Sequence, residues 1–238
     1  MAKRICWALL FCTACVVAQA DPLRIVSEAW APYVYEENGV VRGLDYELTA
    51  TVLERLGITH ELQLLPWKRS LAEFDEGRAD AILDIFRNPD REQSMVFIDE
   101  PLSSSEFVLF YARQRPFPYS DLNSLKGLRI GVSPGYWYSN EAFRQSKDFI
   151  RENAPNHAAN FGKLMLGRVD MVLIERRVGL YLAQQMGILD QLDYHRQLIS
   201  HDDLYLALRR TPEFERLAAR FTVELRRLKA ERAATPAR

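Results

Sequence analysis

The chain has 238 residues, 48% of them hydrophobic, with 31 basic and 32 acidic side chains and a formal charge of −1. That balance leaves no electrostatic footprint for nucleic acid, and the length suits one large domain or two of about 100 residues each. All three cysteines (Cys6, Cys12, Cys15) precede Asp21, so the chain beyond them has no disulfide, zinc–thiolate site or thiol nucleophile.

Met1-Ala-Lys-Arg4 precedes the apolar run Ile5–Val17, and Ala18-Gln19-Ala20 supplies a small-x-small cleavage pattern. The run is too short to cross a membrane, so residues 1–20 are expected to be an export signal cut before Asp21. Lipid attachment at Cys15 is the rival reading, but Cys12-Thr13-Ala14 lacks an aliphatic residue three places before the cysteine. Losing Lys3 and Arg4 takes the formal charge to about −3.

Leu23–Ser27 reads as a strand, and Glu28–Tyr33 as an irregular loop because Pro32 opposes both ladder pairing and helix. Asn38-Gly39 is a turn. Leu44, Leu48, Val52 and Leu56 mark a helix from Gly43 to Gly57, with Asp45 and Glu47 favoured in its first turn by the helix dipole. A strand at Glu61–Leu65 follows, then a helix with Trp67, Leu71 and Phe74 on one face and Gly77 as its cap. Arg69 and Glu73 stand at i, i+4, where a surface pair contributes a few tenths of a kcal/mol.

The most informative stretch is 77–102. Gly77-Arg-Ala-Asp80 closes a helix, Ala81–Leu83 reads as a short buried strand, and a polar turn carrying Asp84, Arg87 and Arg91 follows. Charged groups just past the carboxyl end of a buried strand stand where open α/β sheets bind ligands. Gly167-Arg-Val-Asp170 repeats the pattern, followed by an apolar strand over Val169–Ile174, Glu175 at its end, and Arg176 and Arg177 behind. This echo predicts two similar α/β lobes facing each other across a cleft.

Between the copies, Ser103–Ala112 reads as a long strand, Asp121–Leu125 as a capped turn and Lys126–Val132 as strand. Ser133–Glu141 enters an amphipathic helix marked by Ala142, Phe143, Ser146, Phe149 and Ile150, whose free N–H groups suit a carboxylate. Helices are expected at His157–Leu166 and Val178–Met186. Asp193–Ile199 then returns toward a strand at Leu204–Arg210, and a final helix opens at Pro212 with the stripe Phe214, Leu217, Phe221, Leu225 and Leu228. Glu231–Arg238 lacks apolar content and is expected to fray.

The block 77–102 resembles the segment of type II periplasmic solute-binding proteins, the amino-acid-binding family of ABC importers, that runs helix, G-x-x-D-A-I-I, loop, T-x-x-R, F-S-x-P. The rest of the chain follows that family in order, and order and spacing make the match specific. The resemblance implies a two-lobed fold, each lobe a mixed sheet flanked by helices, with residues 21–108 and 203–238 in one lobe and 109–202 in the other. It implies a periplasmic monomer that takes a small-molecule ligand, needs no cofactor or metal, and delivers to an ABC permease or signals to a membrane sensor.

Residue by residue, the resemblance places Trp30 and Tyr33 in the family's Y-x-P-F loop, where packing of the loop onto the core is their other reading, and Trp67 where an aromatic closes over the ligand. Arg69 follows in a P-W-x-R start. Arg91 takes the place of the carboxylate-clamping arginine, a role suited to its two-pronged donor geometry. Glu175 takes the place of the amine-binding acid, with an ion pair to a neighbouring arginine as its other reading. Asp84 and Phe86 stand where relatives carry small or hydroxyl residues; Asp84 would favour a second cationic group on the ligand or would hold Arg87 or Arg91. The main departure is Gly135-Tyr136-Trp137 where amino-acid binders have G-T-T, implying a smaller pocket or a flat, apolar ligand.

The alternative from another class is an enzyme of the cyclohexadienyl dehydratase type, with Asp84 or Glu175 as general acid. The chain lacks the G-G-T-N-type turn expected there, and His60, His157, His195 and His201 show no metal-ligand spacing.

Overall fold

The computed structural model describes residues 21–234; the expected export signal, the three cysteines and residues 235–238 lie outside them. The chain enters as β1 (Leu23–Ser27), turns through a hairpin of β2 (Tyr35–Glu37) and β3 (Val40–Arg42), and continues as α1 (Leu44–Arg55), β4 (His60–Leu64) and α2 (Trp67–Asp75). Next come β5 (Ala81–Phe86), α3 (Pro89–Ser94), β6 (Met95–Phe97) and the long β7 (Ser103–Ala112). Then follow β8 (Arg129–Val132), α4 (Glu141–Gln145), β9 (Ile150–Asn153), α5 (His157–Met165), β10 (Met171–Glu175), α6 (Arg176–Gln185) and β11 (Leu192–Tyr194). β12 (Ser200–Arg209) and α7 (Pro212–Ala234) end the chain, β12 pairing with β5 and β6 and α7 packing on α1.

Ten strands form one curled sheet in the order β4-β1-β5-β12-β7-β10-β8-β9, with β6 beside β12 and β11 beside β7. β1 runs parallel to β4 and β5, and β8 parallel to β10 and β9, so each end of the sheet is a small parallel array. The sheets expected for the two lobes run into one another because β7 and β12 are each ten residues long and serve both ends. They pair with each other over Ser103–Phe107 and Ser200–Leu204; the remainder of β7 pairs with β10 and β11, and that of β12 with β5 and β6.

The two Gly-Arg-x-Asp copies have the same local role. Gly77 and Gly167 take φ values of 75° and 69°, the left-handed conformation that ends a helix. Asp80 then exchanges hydrogen bonds with the backbone of Arg24 at the start of β1, and Asp170 does so with Arg129 at the start of β8. Each copy therefore pins a helix end to the first strand of its lobe.

Four local expectations are corrected. The strand read as Ala81–Leu83 runs to Phe86, so Asp84 lies inside it. The polar turn beyond is the short helix α3, started by Asn88, whose side chain accepts from Arg91 N, and by Pro89 in its first turn. The helix expected to reach Ile150 stops at Gln145, because the Arg151 guanidinium takes the carbonyls of Phe143 and Ser146 while Ile150–Asn153 pairs with β8. At the other end, α7 does not fray at Glu231, which is held by Arg55 at 2.8 Å and Arg227 at 3.0 Å. Its Leu217, Phe221, Leu225 and Leu228 are buried as the periodicity predicts.

Candidate functional site

A cavity with about 330 Å³ of empty space, mouth included, opens at the carboxyl ends of β1 and β5. First-lobe elements contribute Ser27, Glu28, Trp30, Trp67, Asp84, Phe86 and Arg91, and the loop after β8 contributes Tyr136 and Trp137. A larger groove lies between the start of β1 and α7 and is lined by many charged side chains. The smaller cavity is lined by aromatic rings with a few convergent polar groups, the arrangement that recognises small molecules.

The second-lobe loop reaches across the cleft. Trp67 Nε1 donates to the Gly135 carbonyl at 3.2 Å, and Tyr136 Oη donates to Glu28 Oε2 at 2.6 Å. The Tyr136 ring sits edge-on to both Trp30 and Trp67, with centroids 6.4 Å and 6.2 Å away. His157 Nε2 lies 3.1 Å from Tyr136 Oη, and its Nδ1 lies 3.2 Å from Ser133 Oγ. Because the phenol proton is directed to Glu28, His157 must donate from Nε2 and accept at Nδ1. Burial pushes the imidazole down to about 4, keeping it neutral. Burial also raises the Glu28 carboxyl, against the hydrogen bonds from Tyr136 and the Trp67 backbone.

Arg91 lies against this cavity from α3. Its Nη1 donates to the Phe86 carbonyl at 2.7 Å, and its guanidinium carbon stands 5.8 Å from the centre of the Trp67 ring. Among the described residues no carboxylate comes within ion-pair distance of it. Burial lowers its pKa to about 10, with the more distant Asp75 acting in the opposite direction. By contrast, Arg87 is tied outside the cavity to Glu92 at 2.5 Å and Asp99 at 3.6 Å.

Asp84 reaches the cavity through a β-bulge. Opposite β12, the register passes from Ile85↔Tyr205 to Ile82↔Ala207, leaving Leu83 and Asp84 facing the single residue Leu206. Asp84 takes φ 60° there, and a bulge of this kind re-aims a side chain out of the ladder. Asp84 as a residue is 7% exposed, but both of its carboxyl oxygens are buried, beside Asp45, and neither accepts a hydrogen bond from another side chain or the backbone.

The profile of the bacterial extracellular solute-binding proteins, family 3, matches residues 23–231. The chain belongs to this family. L-cystine-binding protein TcyJ of Escherichia coli (strain K12) is 22% identical over 186 residues, covering 77% of this chain and 69% of TcyJ. In fold, the chain is similar to holo ArgBP from T. maritima, with a TM-score of 0.75 and 18% identity over 87% of this chain and 90% of that one. It is also similar to a histidine kinase sensor domain that resembles periplasmic binding proteins, with a TM-score of 0.76 and 21% identity over 88% and 91% of the two chains.

As a family 3 solute-binding protein, the chain brings seven of the residues singled out in the sequence to one cavity: Trp30, Trp67, Asp84, Phe86, Arg91, Tyr136 and Trp137. Three others stand apart. Tyr33 is fully buried, stacked on Trp30 at 5.0 Å, with its hydroxyl donating to the Ser104 carbonyl at 3.3 Å. Arg69 is solvated and faces Glu73 at 3.7 Å, the surface-pair reading. Glu175 is 1% exposed and caps α6, accepting from Val178 N at 2.8 Å and Glu106 N at 3.4 Å; burial raises its carboxyl. Glu28 was missed. The signal for it was present, since it is the charged residue directly after β1, the same argument that selected Asp84.

Proposed function

We propose that this cleft captures a small organic solute, an amino acid or a related carboxylate, holding its carboxylate on Arg91 between the rings of Trp30, Trp67, Phe86, Tyr136 and Trp137. The single observation that carries this reading is Arg91 itself: a half-buried guanidinium facing an aromatic cavity, with no carboxylate of the protein paired to it. A buried cation lacking a counter-charge is costly, and a ligand carboxylate satisfies it. The L-cystine-binding name of TcyJ and the arginine-bound form of ArgBP support an amino-acid-like solute.

In this reading residues 21–108 with 203–238 and residues 109–202 are the two lobes, and β7 and β12 are the strands about which they close. Residues 1–20 direct the chain to the periplasm. There it works as a monomer, binding its solute without changing it and passing it to a membrane partner such as an ABC permease.

The test is a thermal-shift screen of amino acids, polyamines, carboxylates and aromatic acids, because a ligand at about 100 times its Kd stabilises the fold by roughly 2.7 kcal/mol. A carboxylate-bearing hit is expected to be recovered unchanged after long incubation, and prephenate and arogenate are expected to persist. Consumption of either compound that disappears in Asp84→Asn would make the protein an enzyme.

A further inference from the structure

We infer that Tyr136 is a built-in occupant of the cleft: its ring fills the solute's place and its hydroxyl latches the lobes together on Glu28, so that a solute binds only by displacing it. The inference rests on the cleft reading above and adds a competitor to it. Inside its mouth the cavity has room for about one water. An organic carboxylate does not fit beside Arg91 until a side chain moves, and Tyr136 is the side chain placed to move.

Tyr136 belongs to the loop after β8, yet its ring stands edge-on to Trp30 and Trp67, and its Oη donates to Glu28 Oε2 at 2.6 Å. Burial and then the neighbouring Glu28 push the phenol well above its usual range, so the proton stays on Oη and points at the carboxylate. The donors line up behind it: Ser133 Oγ lies 3.2 Å from His157 Nδ1, and His157 Nε2 lies 3.1 Å from Tyr136 Oη. A chain in which each donor finds an acceptor strengthens its members. Glu28 also accepts from the backbone of Trp67 in the first turn of α2, whose N-cap Pro66 offers no side-chain acceptor. The latch therefore runs from α5, through the loop after β8, to the start of α2.

Gly135 makes the close approach possible. It takes φ 84°, and a Cβ there would stand 3.1 Å from Lys68 Cγ and 3.4 Å from Trp67 Cδ1, so the loop lies directly on α2. Tyr138, two residues on, is tied differently: it is buried against Phe143, and its hydroxyl accepts from Ser133 N at 3.2 Å. Tyr138 anchors the loop to its own lobe, and Tyr136 reaches out of it. Gly135 is exposed and Tyr136 half-buried, so this seam parts without unpacking either core.

Binding then has two steps. The Tyr136–Glu28 bond breaks and the phenol withdraws; the solute takes the vacated space with its carboxylate on Arg91. Only the unlatched fraction of molecules accepts solute, and the observed Kd is the intrinsic one divided by that fraction. Removing the latch while keeping the ring tightens binding, the opposite of what losing an ordinary ligand contact does.

The three tryptophans beyond Asp21, Trp30, Trp67 and Trp137, all line the cavity, and their fluorescence reports its opening. The experiment measures acrylamide quenching in the parent, Tyr136→Phe, Glu28→Gln and Tyr138→Phe, with circular dichroism as the check on folding. Tyr136→Phe keeps the ring and loses the bond; it is expected to shift emission to the red and raise the quenching constant at least about 2-fold. Glu28→Gln, left with a neutral acceptor, is expected to fall between that variant and the parent, and Tyr138→Phe to match the parent. Calorimetric titration with L-phenylalanine, L-arginine, hydrocinnamate and hexanoate is expected to show any compound that binds the parent binding Tyr136→Phe at least about 5-fold more tightly. Equal quenching in the parent and a folded Tyr136→Phe overturns the inference, as does weaker binding to that variant, and either result leaves the Arg91 reading standing. Should Tyr136→Phe not fold, unchanged quenching and affinity in Glu28→Gln overturn it instead. If none of the four compounds binds the parent or a variant, it is the Arg91 reading that fails, and the quenching comparison alone decides the latch.

Discussion

The residues most legible in the sequence were those whose chemistry needs no partner to be recognised. Trp30 and Trp67 were singled out by the family resemblance, and Tyr136 and Trp137 as bulky rings departing from its G-T-T pattern, and all four line the cavity. Residues whose role depends on a distant contact were harder to read. Asp45 has the form of an ordinary first-turn acid, yet it is buried against Ser103, 58 positions away. His157 opens a helix and carried no metal spacing, so nothing in its local sequence showed that it bridges Ser133 and Tyr136. Its burial has a measurable consequence. The folded imidazole titrates at about 4 against 6.5 ordinarily, so between those values the unfolded chain binds more protons, and stability falls as the pH drops. The loss is on the order of 3 kcal/mol across that window. The buried carboxyls act in the opposite direction, since their raised values make stability fall as pH rises, so the comparison must be made by variant. Denaturant unfolding of the parent and of His157→Gln is expected to show the variant with a shallower loss below about pH 6.5. Parallel pH profiles would remove His157 as the cause.

At the scale of elements, helices with a full apolar stripe and a glycine stop were located to within a residue or two, because periodicity and capping are local. Short pieces were not. α3 spans six residues and α4 five, too few to show a period, and each depends on a cap or a competing contact rather than on its stripe. The bulge at Asp84 was invisible for a related reason: it is defined by the register of β5 against β12, more than a hundred residues later in the chain. α6 supplies the clearest test at this scale, since Glu175 is its N-cap and not a cavity residue. Glu175→Ala is expected to cost about 0.5–2 kcal/mol in chemical unfolding while ligand affinity stays within error. Unchanged stability with a large loss of affinity would return Glu175 to the binding site.

At the scale of the whole molecule, the two-lobed architecture was readable because the Gly-Arg-x-Asp echo marks the same junction twice, and the structure shows each aspartate tied to the first strand of its lobe. The single sheet running through both lobes was not readable, since strand pairing across β7 and β12 joins segments about a hundred residues apart. What the fold accomplishes is to bring Trp67 and Arg91 from one lobe against Gly135 and Tyr136 from the other, leaving one guanidinium facing an aromatic cavity without a counter-charge. The most direct test of that claim is titration calorimetry of Arg91→Ala, Arg91→Lys and, as a control, Arg87→Ala, whose parent residue is paired outside the cavity. With the carboxylate ligand recovered from the thermal-shift screen, Arg91→Ala is expected to lose about 2–5 kcal/mol of binding, Arg91→Lys to recover part of it, and Arg87→Ala to match the parent. A folded Arg91→Ala variant that binds that ligand within error of the parent would contradict the account.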